Sequence, residues 1–95
     1  MQHCILVKWT EDAGDRNALA KDAEAIFAEA VRDGFATALK IRRNVVERPN
    51  RYDLLIELEM AKEMLPMYDA SEAHRRWKES FGPKIQQKAI FDFED

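Results

Sequence analysis

The chain has 95 residues, of which 15 are lysine or arginine and 18 are aspartate or glutamate, and its formal net charge is -3. This length is typical of one domain, so residues 1–95 are predicted to fold as a single unit, and the net charge disfavours nucleic acid as a partner. The single cysteine, Cys4, excludes an internal disulfide, and the apolar run of residues 4–7 is too short for a signal peptide or a membrane span. We therefore expect a cytoplasmic protein without a membrane partner.

The first half of the chain predicts a strand, a helix and a second strand. Residues 2–9 alternate, with His3 and Ile5 on one face and Cys4 and Leu6 on the other. An acidic loop containing a glycine follows, and Asp15 or Asp12 is the expected N-cap of an amphipathic helix that ends at Gly34. The apolar stripe of this helix consists of Leu19, Ala23, Ile26, Phe27, Ala30 and Val31. Residues 35–46 are then predicted to contain a strand.

The second half predicts a hairpin partner, an interrupted helix and a last strand. Turn residues at positions 48–50 precede an alternating strand over residues 52–60. Helical residues begin at position 61, but Pro66 requires that the helix starts late or bends there, and Ser71 is the expected N-cap of a second segment ending at Phe81. Residues 87–94 form the last predicted strand, with Phe91 and Phe93 on one face and Asp92 on the other.

The order strand, helix, strand, strand, broken helix, strand predicts an α+β, ferredoxin-like domain with a four-stranded antiparallel sheet. The helices would cover one face of this sheet. Apolar residues on the other face, Leu6, Leu55, Phe91 and Phe93, predict that a second copy packs against it. The expected assembly is a homodimeric α/β barrel.

Four segments together resemble one known family. They are Gln2-His3-Cys4-Ile5-Leu6-Val7-Lys8-Trp9, Arg51-Tyr52-Asp53-Leu54, Met67-Tyr68-Asp69-Ala70-Ser71-Glu72-Ala73-His74 and Ile90-Phe91-Asp92-Phe93. In order and spacing they are similar to the Dabb family, the stress-responsive A/B barrel domains, over essentially the whole chain. The resemblance implies a ferredoxin-like protomer and a homodimeric barrel, in agreement with the element order.

The resemblance also implies candidate site residues. One enzyme of the family, a polyketide cyclase, closes a linear poly-β-ketone without a cofactor. Its tyrosine and histidine are spaced like Tyr68 and His74, its strand aspartate falls on Asp92, and its N-terminal pocket histidine falls on His3. Two further histidines of that enzyme are replaced by Leu54 and by Ser71. The implied catalytic residues are therefore Tyr68, His74 and Asp92, and the implied ligand is a small apolar or polyketone molecule.

The residues themselves support a pocket at this place. His74, Trp77 and Phe81 share the helix face that packs inward, and a carboxylate such as Asp92 would fix the tautomer of the imidazole. Tyr68 would then polarise a carbonyl while His74 removes the adjacent carbon-bound proton. The alternative is a buried, hydrogen-bonded polar network with a purely structural role. The predicted ligand-binding residues are His3, Ile5, Phe27, Leu54 and Trp77.

Three functions remain open from sequence: a small-ligand-binding protein without turnover, which we favour, a cofactor-free cyclase or lyase, and a structural or regulatory dimer. The two histidines lie on separate elements without a metal-binding spacing, and no glycine-rich loop is present, so we expect neither a metal nor another cofactor. A basic segment, with Arg42, Arg43, Arg48 and Arg51, would attract an acidic ligand or form a solvated surface.

Overall fold

The computed structural model describes all 95 residues, and its four strands form one antiparallel sheet. The strands are β1 (Gln2–Trp9), β2 (Ala38–Arg43), β3 (Leu54–Glu59) and β4 (Ile85–Phe93), in the spatial order β2-β3-β1-β4. β2 and β3 form the predicted hairpin, and β1 lies between β3 and β4. The ferredoxin-like, α+β architecture predicted from the element order is confirmed.

Three α-helices lie on the sheet: α1 (Arg16–Arg32), α2 (Leu65–Asp69) and α3 (Glu72–Phe81). Asp15 is the N-cap of α1, because its side chain accepts a hydrogen bond from the Ala18 backbone N–H at 2.9 Å. Gly34 follows α1 with a φ of 86°, a left-handed conformation that favours glycine. No helix is both long enough and apolar enough to cross a membrane.

The predicted break in the second helical region is confirmed, and it has two causes. Pro66 occupies the first turn of α2, where its missing N–H costs no helical hydrogen bond, so the helix starts late and is preceded by a 3-10 turn at Lys62–Met64. Ser71 then caps α3 by accepting a hydrogen bond from the His74 backbone N–H at 3.2 Å. This arrangement places Tyr68 and His74 on either side of the break between α2 and α3.

One face of the sheet, the inner face, packs against the helices. In β1 this face consists of His3, Ile5, Val7 and Trp9, all of them buried. Phe27 of α1 and Trp77 of α3 pack on each other with ring centroids 4.8 Å apart, and both belong to the core. The largest fully buried side chains include Trp77, Tyr68 and Phe27, so aromatic packing between helices and sheet supplies much of the apolar burial.

The opposite face, the outer face, has no covering element within the protomer. Leu6 lies opposite Leu55 on β3, and Cys4 lies opposite Phe91 on β4. The Phe91 side chain is 66% exposed, and its ring centroid lies 6.2 Å from that of Phe93. The predicted distribution of apolar residues over both faces is therefore present.

Candidate functional site

A cavity of about 260 Å³ opens between the inner face and the helices, at the end of the sheet where β1 begins and β4 ends. β1 and β4 supply one wall, and the residues around the α2–α3 break supply the other. The lining residues are His3, Ile5, Leu65, Asp69, His74, Trp77, Lys88, Ile90 and Asp92. Two imidazoles therefore border one space from opposite walls.

His3 and Asp92 form a hydrogen-bonded pair within this cavity. They are direct cross-strand partners of β1 and β4, and the Nδ1 of His3 bonds to Oδ1 of Asp92. Since a carboxylate can only accept, Nδ1 carries the proton, and the bond fixes the orientation of the ring. The predicted pairing of Asp92 with His74 is wrong: the carboxylate is bonded to His3 because the strand register brings these two residues together.

His74 is oriented by the backbone instead. Its Nδ1 lies 2.8 Å from the Asp69 carbonyl oxygen, which only accepts, so Nδ1–H donates and Nε2 is left with a lone pair. Burial lowers the pKa of His74, and the nearby charges of Lys78 and Lys88 lower it further, whereas the hydrogen bond to Asp69 and the charge of Asp69 act in the opposite direction. His74 is therefore a neutral imidazole with one free basic nitrogen at neutral pH.

Tyr68 lies between the two histidines. Its ring centroid is 5.7 Å from that of His3 and 5.1 Å from that of His74, both in edge-to-face arrangements. The phenolic oxygen is buried and has no hydrogen-bond partner. Burial raises the pKa of Tyr68, and the charge of Asp69 adds to this effect, so the hydroxyl stays protonated. An unpaired buried donor is costly, and a ligand oxygen that reached it would relieve that cost.

The described residues contain no group of three or more His, Cys, Asp or Glu side chains arranged to hold a metal ion. Each of the two histidines in the cavity instead makes one hydrogen bond through its ring. His3 bonds to Asp92, and His74 bonds to a backbone carbonyl. Each of these bonds fixes one imidazole tautomer, which is a property relevant to proton transfer.

Solved structures with the same fold come from several organisms. A dimeric ferredoxin-like protein of unknown function from Thermobifida fusca is 14% identical, with a TM-score of 0.80 over 99% of this chain and 89% of that chain. A Dabb family protein with a ferredoxin-like fold from Mesorhizobium loti is 10% identical, with a TM-score of 0.67 over 99% and 94% of the two chains. The hydroxynitrile lyase from Passiflora edulis is 8% identical, with a TM-score of 0.77 over 97% and 89%. No protein-family model matches the chain, and no curated protein is significantly similar to it in sequence.

This chain has a Dabb-like fold. The fold implied by the sequence resemblance is thereby confirmed, and the likeness extends along almost the whole chain. At identities of 8–14% the shared property is the backbone architecture. What the Dabb-like fold does in this protein depends on its own side chains.

The predicted ligand-binding residues of this Dabb-like fold divide into two groups. His3, Ile5 and Trp77 line the cavity, together with His74 and Asp92. Phe27 does not line it, because its ring is packed behind Trp77 in the core. Leu54 also lies elsewhere: it pairs with Val7 and Arg43 near the opposite end of the sheet. Tyr68 contacts both imidazole rings from behind the cavity wall.

Sequence reasoning missed four lining residues: Leu65, Asp69, Lys88 and Ile90. Two of them carried a usable signal, since Lys88 and Ile90 alternate with Asp92 along β4 and therefore share its face. Asp69 accepts a hydrogen bond from His74 through its backbone carbonyl, which is a group that every residue type has, so its residue type gave no signal.

Proposed function

We propose that this protein is a homodimeric, Dabb-like protein that binds a small ligand in the cavity between His3 and His74. The proposal depends on one observation: two oriented imidazoles border the same space of about 260 Å³, and the Tyr68 ring packs against both of them from behind the cavity wall. Ligand sites are typically concave and mostly apolar, with a few fixed polar groups. The volume suits a molecule smaller than a typical drug.

The apolar and polar side chains that line the cavity indicate the class of ligand. Ile5, Leu65, Trp77 and Ile90 provide apolar surface, whereas the imidazoles and the Lys88 ammonium provide polar contacts. The Lys88 ammonium donates hydrogen bonds, and Nε2 of His74 accepts one. A short carbon skeleton with carbonyl groups, such as a linear β-polyketone, would match the donors while its carbons contact the apolar wall.

Calorimetry with a linear β-triketone tests this proposal. We expect saturable binding to the wild-type protein and at least tenfold weaker binding to Ile90→Trp, because Ile90 is half exposed on the cavity wall and a larger side chain there would fill the space. Met67→Trp is the matched control, since Met67 is exposed on α2 but does not line the cavity. Equal binding by the two variants, or no binding to the wild type, would contradict the proposal.

A second candidate function is a cofactor-free cyclase or lyase, and the free Nε2 of His74 favours it. In that reaction Nε2 takes a proton from the carbon next to a carbonyl, and the electron pair of the broken C–H bond forms an enolate. The enolate carbon then attacks a second carbonyl of the same molecule, and the imidazolium returns its proton to the resulting alkoxide. The Passiflora edulis hydroxynitrile lyase has the same fold, which supports a lyase as compatible with this architecture.

Proton exchange separates this candidate from simple binding. In deuterated buffer, wild-type protein would exchange the methylene protons of the β-triketone faster than buffer alone, and His74→Ala would lose this acceleration while remaining dimeric. If exchange is as slow with wild-type protein as with His74→Ala, binding without turnover is the correct function. The third possibility, a structural dimer without ligand, is disfavoured by the open cavity, which Trp77 and Phe27 leave unfilled.

The dimer is proposed on separate grounds. The Thermobifida fusca protein and two other structural neighbours are dimeric. The outer face of this protein exposes apolar residues that a second copy would cover. Phe91, Phe93, Leu6 and Leu55 are the proposed centre of that interface. Sheet-on-sheet packing of two such faces produces a barrel.

A further inference from the structure

Lys88 is the only lysine or arginine that lines the cavity between His3 and His74. It lies on the inner face of β4, so the proposed dimer interface on the outer face does not cover it. Its ammonium forms no salt bridge, although the carboxylates of Asp69 and Asp92 border the same cavity. The cavity therefore has one cation that is available to pair with a ligand.

The wall that β4 contributes to the cavity is polar at both ends and apolar in the middle. Its lining residues follow the strand in the order Lys88, Ile90 and Asp92. Ile90 pairs with Ile5 of β1, and Asp92 pairs with His3, to which it is hydrogen-bonded. Residues four apart on a strand are separated by about 13 Å, so a ligand can place a negative charge at Lys88 without bringing it close to Asp92.

The charges around the cavity favour a ligand with a single negative charge. A dianion such as a phosphate ester would have one ammonium to pair with, whereas the carboxylates of Asp69 and Asp92 would both repel it. A carboxylate needs only the one ammonium, which can donate charge-assisted hydrogen bonds to it. A neutral ligand would leave the Lys88 ammonium without a partner. A monoanionic carboxylate therefore matches this cavity best.

The Lys88 ammonium also lies within electrostatic reach of His74. Burial lowers the pKa of His74, and the charge of Lys88 lowers it further. Because Nδ1 of His74 donates to the Asp69 carbonyl, Nε2 is left to accept a hydrogen bond from a ligand. The enol form of a β-diketone has a hydroxyl that can donate this bond. A ligand with an anionic end and an enol further along its chain would thus satisfy both groups.

We propose that the ligand of this cavity is a linear β-polyketone that ends in one carboxylate, and that Lys88 selects it by binding that carboxylate. The inference rests on the proposed function, because it defines the ligand of the same cavity. The carbon chain of the ligand contacts Ile5 and Ile90, and its enol hydroxyl donates to Nε2 of His74. Lys88 is then a residue that determines specificity.

Calorimetry at constant ionic strength with succinylacetone, a β-diketone that ends in a carboxylate, and with its methyl ester tests the proposal. We expect wild-type protein to bind the acid at least about fivefold more tightly than the ester, a modest preference because Lys88 is exposed to solvent in the free protein. Lys88→Met is expected to lose this preference while it binds the ester as tightly as wild type. Lys88→Arg keeps the charge and is expected to retain the preference.

Lys78→Met is the matched control, because the charge of Lys78 also acts on His74 but Lys78 does not line the cavity. If Lys78→Met loses the preference as fully as Lys88→Met, the effect is general electrostatics and the role of Lys88 is overturned. Equal binding of acid and ester by wild-type protein overturns the role of Lys88 but leaves the proposed function standing. If wild-type protein binds neither ligand, both the role of Lys88 and the proposed function are overturned.

Discussion

At the scale of single residues, the cavity is organised by two hydrogen bonds that fix two imidazole tautomers. Asp92 accepts from Nδ1 of His3, and the Asp69 carbonyl accepts from Nδ1 of His74. In both rings the proton is on Nδ1, so both Nε2 atoms are available as acceptors. Tyr68, between the rings, has a buried hydroxyl without a hydrogen-bond partner. The cavity therefore presents two imidazole acceptors together with the Lys88 ammonium, which is a donor.

Protonation of His74 opposes folding. Its pKa in the folded protein is lowered from the ordinary value of 6.5, chiefly by burial, so the unfolded chain binds more protons in the interval between the two values. Stability is then greatest above about pH 6.5 and decreases as the pH falls through that interval. We expect urea denaturation to show this decrease in wild type and a smaller one in His74→Gln. Identical pH profiles for the two proteins would contradict the assigned burial of His74.

Removal of the Tyr68 hydroxyl tests whether this hydroxyl lacks a hydrogen-bond partner in the free protein. Tyr68→Phe deletes a buried donor that makes no hydrogen bond, so the free energy of unfolding is expected to stay constant or to rise by up to about 1 kcal/mol. A loss of stability above about 1 kcal/mol, measured by urea denaturation, would mean that the hydroxyl is bonded in the free protein.

The sequence predicted which face of the sheet each of these strand residues occupies, but it did not predict their hydrogen-bond partners. Alternation placed His3 on the face of Ile5 and Asp92 opposite Phe91, and both assignments are correct. The partnership of His3 with Asp92 depends on the register between β1 and β4, which lie far apart in sequence and whose pairing alternation does not encode. The contact of His74 with the Asp69 carbonyl could not be predicted for a different reason: every residue type has a backbone carbonyl, so the sequence does not indicate which one is used.

At the scale of elements, the break between α2 and α3 positions the helical wall of the cavity. The Ser71 side chain caps α3 in its first turn, and the same turn carries His74. Pro66 and Ser71 were sufficient to predict this break from sequence because each has a local backbone preference. Strand ends were less accurate: β4 begins at Ile85, two residues before the predicted start, because pairing with Trp9 extends it.

Loss of the Ser71 cap is expected to destabilise the protein. Ser71→Ala leaves the His74 backbone N–H without its side-chain acceptor, and such changes typically cost about 1 kcal/mol of unfolding free energy. Ser80→Ala is the control, because Ser80 is exposed in the last turn of α3 and makes no capping bond. Chemical denaturation of both variants gives the comparison. Equal stabilities would show that the cap does not hold the break in place.

At the scale of the whole molecule, the two faces of the sheet lie in different environments. Its inner face is closed by α1, α2 and α3, and its outer face exposes the Phe91 ring beside Cys4. Burial raises the pKa of the Cys4 thiol, and the charges of Glu57 and Asp92 add to this, so Cys4 stays protonated. Such a surface is suited to packing against a second copy.

A charge at the centre of the outer face tests the proposed dimer. Phe91→Glu would bury a carboxylate without a partner in the interface, so we expect light scattering to report a monomer at concentrations where wild type is dimeric. Val45→Glu introduces the same charge at an exposed apolar side chain outside the sheet and is expected to remain dimeric. A dimer that persists in Phe91→Glu would place the interface elsewhere.

The proposed function requires that a small ligand binds between His3 and His74. NMR detection of the two imidazole side chains during titration with the β-triketone tests it most directly, because this chain has only two histidines. We expect both imidazole signals to shift saturably with one dissociation constant, and we expect Ile90→Trp to abolish both shifts. Imidazole signals that stay unchanged while the protein binds the triketone would contradict it.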